Sequence, residues 1–338
     1  MRSTGGRSLS ELYDLAMLDL DGVVYVGGEA VPGAPGHLER ARAAGQHLAF
    51  VTNNAARTPD VVAEHLSRLG VPAEASDVVT SSQAAAAVLV QRLGTGAKVA
   101  ALGAEGLFAA LTDAGLQPVG VDDEEAEALV DGYGPDVPWR DVMRAAVRVR
   151  DGLWWVATNT DMTIPTAYGT APGNGVLVDL IRRFSGVEPV VGGKPDRPLL
   201  DETIRRVGGE RPLMVGDRLD TDILGGRNAG VDTLLVMTGV TGLPELAGAT
   251  GEERPTYVAA DLGGLTGPHE APSVDGTRAE LGGWSAEVDP ESELVVTGRG
   301  DPDDWWRVVA AAAWAHLDAE GRAAGVRRLV PPDRATSR

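Results

Sequence analysis

The sequence predicts an α/β fold, a parallel sheet covered by helices, and three observations predict it. Short apolar runs alternate with helix-like stretches from residue 15 to about 260. The runs are continuous rather than alternating, as expected for strands buried on both faces. The intervening stretches carry start and stop residues of helices.

Taken in order, LAMLD (15–19), LAFVT (48–52), VAALG (99–103), WWVAT (154–158), LMVGD (213–217) and TLLVM (233–237) read as buried strands. Thr58 and Pro59 open a helix as N-cap and first helical residue. Val62, Leu66 and Leu69 give it an apolar stripe, and Gly70 closes it. Residues 175–184 and 198–207 read as further helices, the latter with Pro198 at its start. Composition shifts near 263, where GGLTGPHEAPSVDG reads as a linker. Beyond it, 283–288 and 293–298 read as strands and 303–320 as a helix, with acidic residues at its positive end. A C-terminal piece of about 70 residues is marginal as an independent domain and is expected to pack on the rest or on a partner. The final PPDRATSR reads as a frayed tail.

The chain has 338 residues, 30 basic and 49 acidic, for a net charge of −19. At roughly 150 residues per domain this allows about two domains with an appendage. The acidic balance argues against a nucleic-acid binder. No apolar run is long enough for a membrane span, and the N-terminus lacks a signal-peptide core, so a cytoplasmic location is expected. With no cysteine there is no disulfide scaffold, thiolate metal site or thiol nucleophile. Only Lys98 and Lys194 are lysines in a chain that otherwise uses arginine, which raises the question of what each does.

Four clusters carry chemistry, each after an apolar run, where ligands bind in open α/β sheets. In LDLDG, Asp19 and Asp21 stand two residues apart and share a side of the extended chain, ahead of Gly22. Two carboxylates so close repel, so the pair reads as a metal site, as a nucleophile with a neighbouring acid, or as a solvated turn. In FVTNN, Thr52, Asn53 and Asn54 gather a hydroxyl, amides and backbone N–H groups, a set suited to phosphate oxygens and equally to turn chemistry. In VVGGKPDRP, Lys194 sits in a constrained loop, where its ammonium would neutralise an anion. In LMVGDRLDTDI, Asp217, Asp220 and Asp222 crowd a strand end. They read as a hard-oxygen site selecting Mg²⁺ or as a capping cluster, with Thr221 or Asp220 capping the helix that runs toward Gly230.

Together and in this order, DLDGVVYVGGEAVPGA, FVTNNAARTP, GGKP and GDRLDTDI resemble the four motifs of the haloacid dehalogenase superfamily of phosphatases. The long insertion between the second and third, including WWVATNTDMTIPTAYGTAPGNGVLVDLI, resembles the 4-nitrophenylphosphatase-like branch with a large α/β cap. That branch includes glycerol-phosphate, phosphoglycolate and pyridoxal-phosphate phosphatases. The resemblance spans roughly residues 12 to 262. It implies a Rossmann-like core at 1–83 and 189–262, an inserted cap at 84–188, a linker at 263–278 and an αβ extension at 279–338.

It also implies a Mg²⁺-dependent phosphomonoesterase. Asp19 would be the nucleophile and Asp21 the acid and base. The metal would be held by Asp19, the Asp21 carbonyl and Asp217, with Asp222 orienting a bound water or Lys194, and Asp220 only capping or solvated. Thr52, Asn53, Asn54, Gly22 and Lys194 would bind the phosphoryl group. Asn159, Asp161 and the 172–175 loop (Pro172, Gly173, Asn174, Gly175) are candidates to line the cap side or simply to fold the cap. The loop 22–36 is the expected mobile element. The C-terminal piece resembles an acetyltransferase-like appendage of some bacterial glycerol-phosphate phosphatases, so glycerol 3-phosphate is the leading substrate. Phosphoglycolate, sugar phosphates, pyridoxal phosphate and nucleoside monophosphates are alternatives. A dehalogenase would not need Asp21, Asp217 and Asp222, and a non-catalytic binding protein would not need the intact set. Members of the branch often dimerise through the cap, which implies a homodimer.

Overall fold

The computed structural model describes residues 1–166 and 169–332. Residues 167 and 168 of the cap-like stretch, and all of the expected tail from 333 onward, lie outside them. The chain divides into two compact units, Met1–Leu48 with Gly209–Arg338, and Ala49–Gly208.

The first unit carries four parallel strands in the order Tyr257–Ala259, Asp232–Val236, Pro212–Gly216, Leu15–Leu18. Leu15 lies opposite Pro212 and Leu18 opposite Val215. Leu15–Leu18 is buried along its whole length, which is why it reads as a continuous apolar run rather than an alternating one. The C-terminal piece adds an antiparallel meander of Ser273–Asp275, Arg278–Leu281, Trp284–Val288 and Leu294–Gly298. The helix Pro302–Glu320 follows. Asp301 caps it by accepting the Asp303 N–H at 2.8 Å, and Gly321 ends it in the left-handed conformation.

This piece is not a separate body. Trp305, Val308, Val309, Ala312 and Trp314 share one apolar cluster with Leu219, Ile223, Leu235, Leu246 and Val258. Packing onto the rest, as expected for so short a segment, is what occurs. The expected linker is also partly structured. Leu262–Leu265 forms a short 3₁₀ turn, and His269 is buried between Thr4 and Arg307.

The second unit holds the parallel pair His47–Thr52 and Val78–Thr80, of which His47 and Leu48 fall on the first unit's side of the division. It also holds a five-stranded parallel sheet in the order Val190–Val191, Trp154–Ala157, Ala128–Asp131, Lys98–Leu102, Gln117–Val119. Pro59–Arg68, with Thr58 as N-cap, and Pro198–Val207 occur as the sequence predicts. Asn174–Ser185 starts one residue before its predicted position. The helix Ser81–Leu93 runs through the expected boundary at 83/84, its N-cap Thr80 accepting the Gln83 N–H at 3.3 Å. Among the described residues no helix is long and apolar enough to cross a membrane.

Candidate active site

In the first unit the ladder of Leu15–Leu18 continues one residue further, as Asp19 N–H donates to the Val215 carbonyl at 2.8 Å. The chain then turns sharply. The Leu20 carbonyl accepts the N–H groups of Val23, Val24 and Tyr25, and Gly22 N–H donates to the Tyr25 carbonyl at 2.8 Å. Tyr25–Val26 pairs with Glu29–Ala30 as a small hairpin, so the front of the 22–36 loop is hydrogen-bonded structure. Asp19 is half-buried and Asp21 exposed.

Pro212–Gly216 delivers Asp217, which is fully buried, as is Asp222. One Asp222 oxygen accepts the backbone N–H of both Asp217 and Arg218. The sequence expectation that Thr221 or Asp220 caps this helix is therefore corrected. The helical segment begins at Leu219 with Arg218 as its cap residue, and Asp220 instead pairs with the Arg218 guanidinium at 2.7 Å. Asp222 wins because its carboxylate folds back onto N–H groups that point at it.

Oxygens of Asp19, Asp217 and Asp222 lie within 4.8 Å of one another. Three carboxylates converging beyond the ends of two neighbouring strands, two of them out of solvent, repel one another unless a cation sits among them. The donors are hard oxygens, the chemistry that suits Mg²⁺ or Ca²⁺ rather than zinc or copper. Asp21 was expected to contribute its carbonyl, and its side chain is not in this group.

Glycines make the room. A Cβ on Gly22, whose φ is +86°, would stand 2.5 Å from Asp217 Oδ2. A Cβ on Gly239 would stand 2.5 Å from Asp217 Cγ. The 238–241 segment closes around that carboxylate. Val240 N–H donates to Asp217 Oδ2 at 2.6 Å, Thr241 N–H to the Asp217 carbonyl at 3.1 Å, and Thr238 Oγ1 to the Gly22 carbonyl at 2.5 Å. This segment was missed in the sequence. Its signal was the same as for Asp19, since an apolar run, here TLLVM, ends in Thr-Gly.

In the second unit Thr52 is buried at its strand end, and its hydroxyl accepts the Asn54 N–H at 3.0 Å. Asn54 Oδ1 accepts the Ala56 N–H at 2.9 Å, a local turn. The Asn53 side chain is a clamp. Its Oδ1 accepts the Lys194 N–H at 2.8 Å, and its Nδ2 donates to the Lys194 carbonyl at 3.0 Å and to Asp161 Oδ1 at 3.1 Å. Lys194 is 2% exposed, and its Nζ donates to the Val51 carbonyl at 3.4 Å. Gly193 is needed beside it, because a Cβ there would stand 2.6 Å from Asn53 Oδ1. Asn159 is buried and donates to the Asn53 carbonyl at 2.8 Å, and its Oδ1 accepts the Asp161 N–H at 3.1 Å. The second unit thus joins Asn53, Asn159, Asp161 and Lys194 in one network. Lys98, the other lysine, pairs with Asp123 and Glu125 at the far end of its strand.

Two family models match this chain, haloacid dehalogenase-like hydrolase over residues 16–117 and HAD-hydrolase-like over 191–265. The chain is 38% identical over 317 residues to a D-glycerol 3-phosphate phosphatase of Mycobacterium tuberculosis, covering 91% of this chain and 88% of the relative. It is 35% identical over 252 residues to an acid sugar phosphatase of Staphylococcus aureus, covering 74% of this chain and 95% of the relative. A crystal structure of a glycerol phosphate phosphatase from M. tuberculosis in complex with magnesium matches with a TM-score of 0.81 at 37% identity, over 91% of this chain and 92% of that one.

Proposed function

The chain belongs to the haloacid dehalogenase-like hydrolases, and from that membership and its carboxylate site we infer that it hydrolyses a small phosphomonoester through an aspartyl-phosphate on Asp19. The observation that carries this reading is the approach of Asp19, Asp217 and Asp222 oxygens to within 4.8 Å. Asp19, the Asp21 carbonyl and Asp217 would hold Mg²⁺, with Asp222 beside them fixing the Asp217 peptide and orienting a bound water. When bound, that ion supplies positive charge that keeps Asp19 ionised and offsets the phosphoryl charge.

In this reading a carboxylate oxygen of Asp19 attacks phosphorus, and the bond from phosphorus to the leaving oxygen breaks. Asp21 gives its proton to that oxygen and then, as carboxylate, takes one from a water. The water oxygen attacks phosphorus, the bond to Asp19 breaks, and inorganic phosphate leaves. Thr52, Asn53, Asn54, Gly22 and Lys194 are the groups proposed to hold phosphoryl oxygens, with Lys194 supplying local positive charge in a protein of net charge −19. Residues 84–188 are read as the cap, with Asn159 and Asp161 in it.

Glycerol 3-phosphate is the proposed substrate, supported by the relative at 38% identity over nearly the whole chain. The acid sugar phosphatase relative supports sugar phosphates as the second reading. We also propose a homodimer through the cap. Trp139, Met143 and Val147 are exposed at i, i+4 and i+8 of the helix Trp139–Arg150, an apolar stripe suited to a second copy.

The test is phosphate release from glycerol 3-phosphate, phosphoglycolate, sugar phosphates, pyridoxal phosphate and nucleoside monophosphates, with and without Mg²⁺, by the intact chain and Asp19→Asn. Mg²⁺-dependent turnover that the variant lacks supports the reading. Equal release by the two proteins would sink it.

A further inference from the structure

Asp131 ends the strand Ala128–Asp131 in the second unit and is fully buried. A carboxylate out of water needs strong donors. Trp155 Nε1 donates to its Oδ1 at 2.5 Å, and Asn174 Nδ2 to its Oδ2 at 2.9 Å. Asn174, 3% exposed, also donates from Nδ2 to the Asn159 carbonyl at 2.9 Å, so both amide hydrogens are used. The amide has one workable orientation, because the flipped one would set Oδ1 against two acceptors.

From Asn159 the path continues to the Asn53 carbonyl, and the Asn53 side chain clasps the Lys194 peptide from both sides. The joint has little slack, since a Cβ at Gly175 would lie 2.7 Å from the Thr160 carbonyl carbon. An unbroken line of hydrogen bonds therefore runs from a buried cap carboxylate to the backbone of the lysine loop, entirely within one compact unit.

We propose that Asp131 is a positioning residue for phosphoryl binding, fixing Asn174 and, through Asn159 and Asn53, the loop that carries Lys194. The proposal rests on the phosphohydrolase reading for what the loop binds. Asp131 accepts at both oxygens. Asp131→Asn brings an NH₂ group against Trp155 Nε1 or Asn174 Nδ2, donor facing donor. Asn174→Ala cuts the path while sparing the Trp155–Asp131 bond, and covers the case in which Asp131→Asn does not fold. Ile181→Ala, buried in the same helix and off the path, controls for loss of cap stability alone.

Inorganic phosphate binding to the full chain in Mg²⁺ is measured by calorimetry, alongside KM and kcat for glycerol 3-phosphate. In Asp131→Asn and Asn174→Ala, the phosphate Kd and KM should rise about tenfold, with Mg²⁺ affinity in the absence of phosphate unchanged. Ile181→Ala should lower Tm without moving the phosphate Kd. An unchanged Kd in the two path variants, an equal rise in Ile181→Ala, or no phosphate binding by the wild type would each overturn the proposal. A wild type that binds phosphate but hydrolyses no phosphomonoester would sink the hydrolase reading instead, and the Kd comparison would still decide the role of Asp131.

Discussion

One carboxylate oxygen of Asp222 accepts two backbone N–H groups, those of Asp217 and Arg218, each at 3.1 Å. The bond fixes the peptide from which the Asp217 carboxylate is delivered to the candidate metal site. Asp222→Ala removes the acceptor that both N–H groups share. Mg²⁺ affinity should fall ten- to a hundredfold, roughly what loss of a supporting partner costs at other metal sites. Calorimetric titration with Mg²⁺ checks this without reference to turnover.

Gly239→Ala should act on the same carboxylate from the other side. Its Cβ would press on Asp217 and push that side chain from its cradle. The Mg²⁺-induced rise in Tm should shrink or vanish, while the metal-free Tm changes less. A differential thermal melt with and without Mg²⁺ reads both. Gly22→Ala adds backbone strain at φ +86°, on the order of 1–2 kcal/mol, so it should lower the metal-free Tm as well.

Asp131 predicts a pH dependence of stability. Burial pushes its carboxyl up from 3.8 to about 7, against the pull of its bonds to Trp155 and Asn174. The folded state therefore holds a proton that the unfolded chain has already released. The stabilising contribution is complete below the unfolded value near 3.8 and is lost as pH rises through about 7. Between pH 5.5 and 8 this group alone should lower the unfolding free energy by about 2 kcal/mol. Urea unfolding at both pH values measures it. Asp131→Asn, which does not titrate, should flatten the dependence, and a slope equal to wild type would count against the assignment.

Trp314 ties the C-terminal helix to the first unit. It is buried, donates to the Leu246 carbonyl at 2.7 Å, and has the Arg254 guanidinium over its ring at 5.3 Å. Trp314→Ala should cost about 3–5 kcal/mol, and Trp314→Phe should cost less, having lost chiefly the hydrogen bond. Removing the whole extension would bare Leu235, Leu246 and Val258 and yield aggregating protein. Thermal melts of the point variants and the soluble yield of the truncation test these outcomes.

Much of this was legible because the local signal and the tertiary role coincided. Asp19 and Asp217 each end an apolar run, and buried parallel strands place such ends at the sheet edge that binds ligands. The same signal was ambiguous elsewhere. ALVDG at 128–132 reads like LAMLD followed by a turn, yet Asp131 faces a tryptophan and an asparagine contributed from 24 and 43 residues away. Only the folded chain separates a carboxylate held by indole and amide from one among other carboxylates. The Gly- and Pro-rich stretch after 262 was read as a linker because composition is blind to long-range partners. His269 is buried there by Thr4 and Arg307, from opposite ends of the sequence. The capping role of Asp222 was missed for a related reason, because the helix begins irregularly at Leu219 and shifts the register of every candidate cap.

The division of the chain also orders its assembly in time. Ala49–Gly208 is one uninterrupted stretch, so its contacts can all form once residue 208 has been synthesised. The other unit is split. Leu15–Leu18 has no parallel partner in its own unit until Pro212–Gly216 appears, and the cluster around Leu246 is unfinished until the helix Pro302–Glu320 emerges. The nucleophile candidate is therefore among the first residues made, while the two carboxylates grouped with it come about two hundred residues later. A growing chain carries Asp19 without the Asp217 and Asp222 carboxylates through most of its synthesis, so the metal site is expected to close in a late, non-local step.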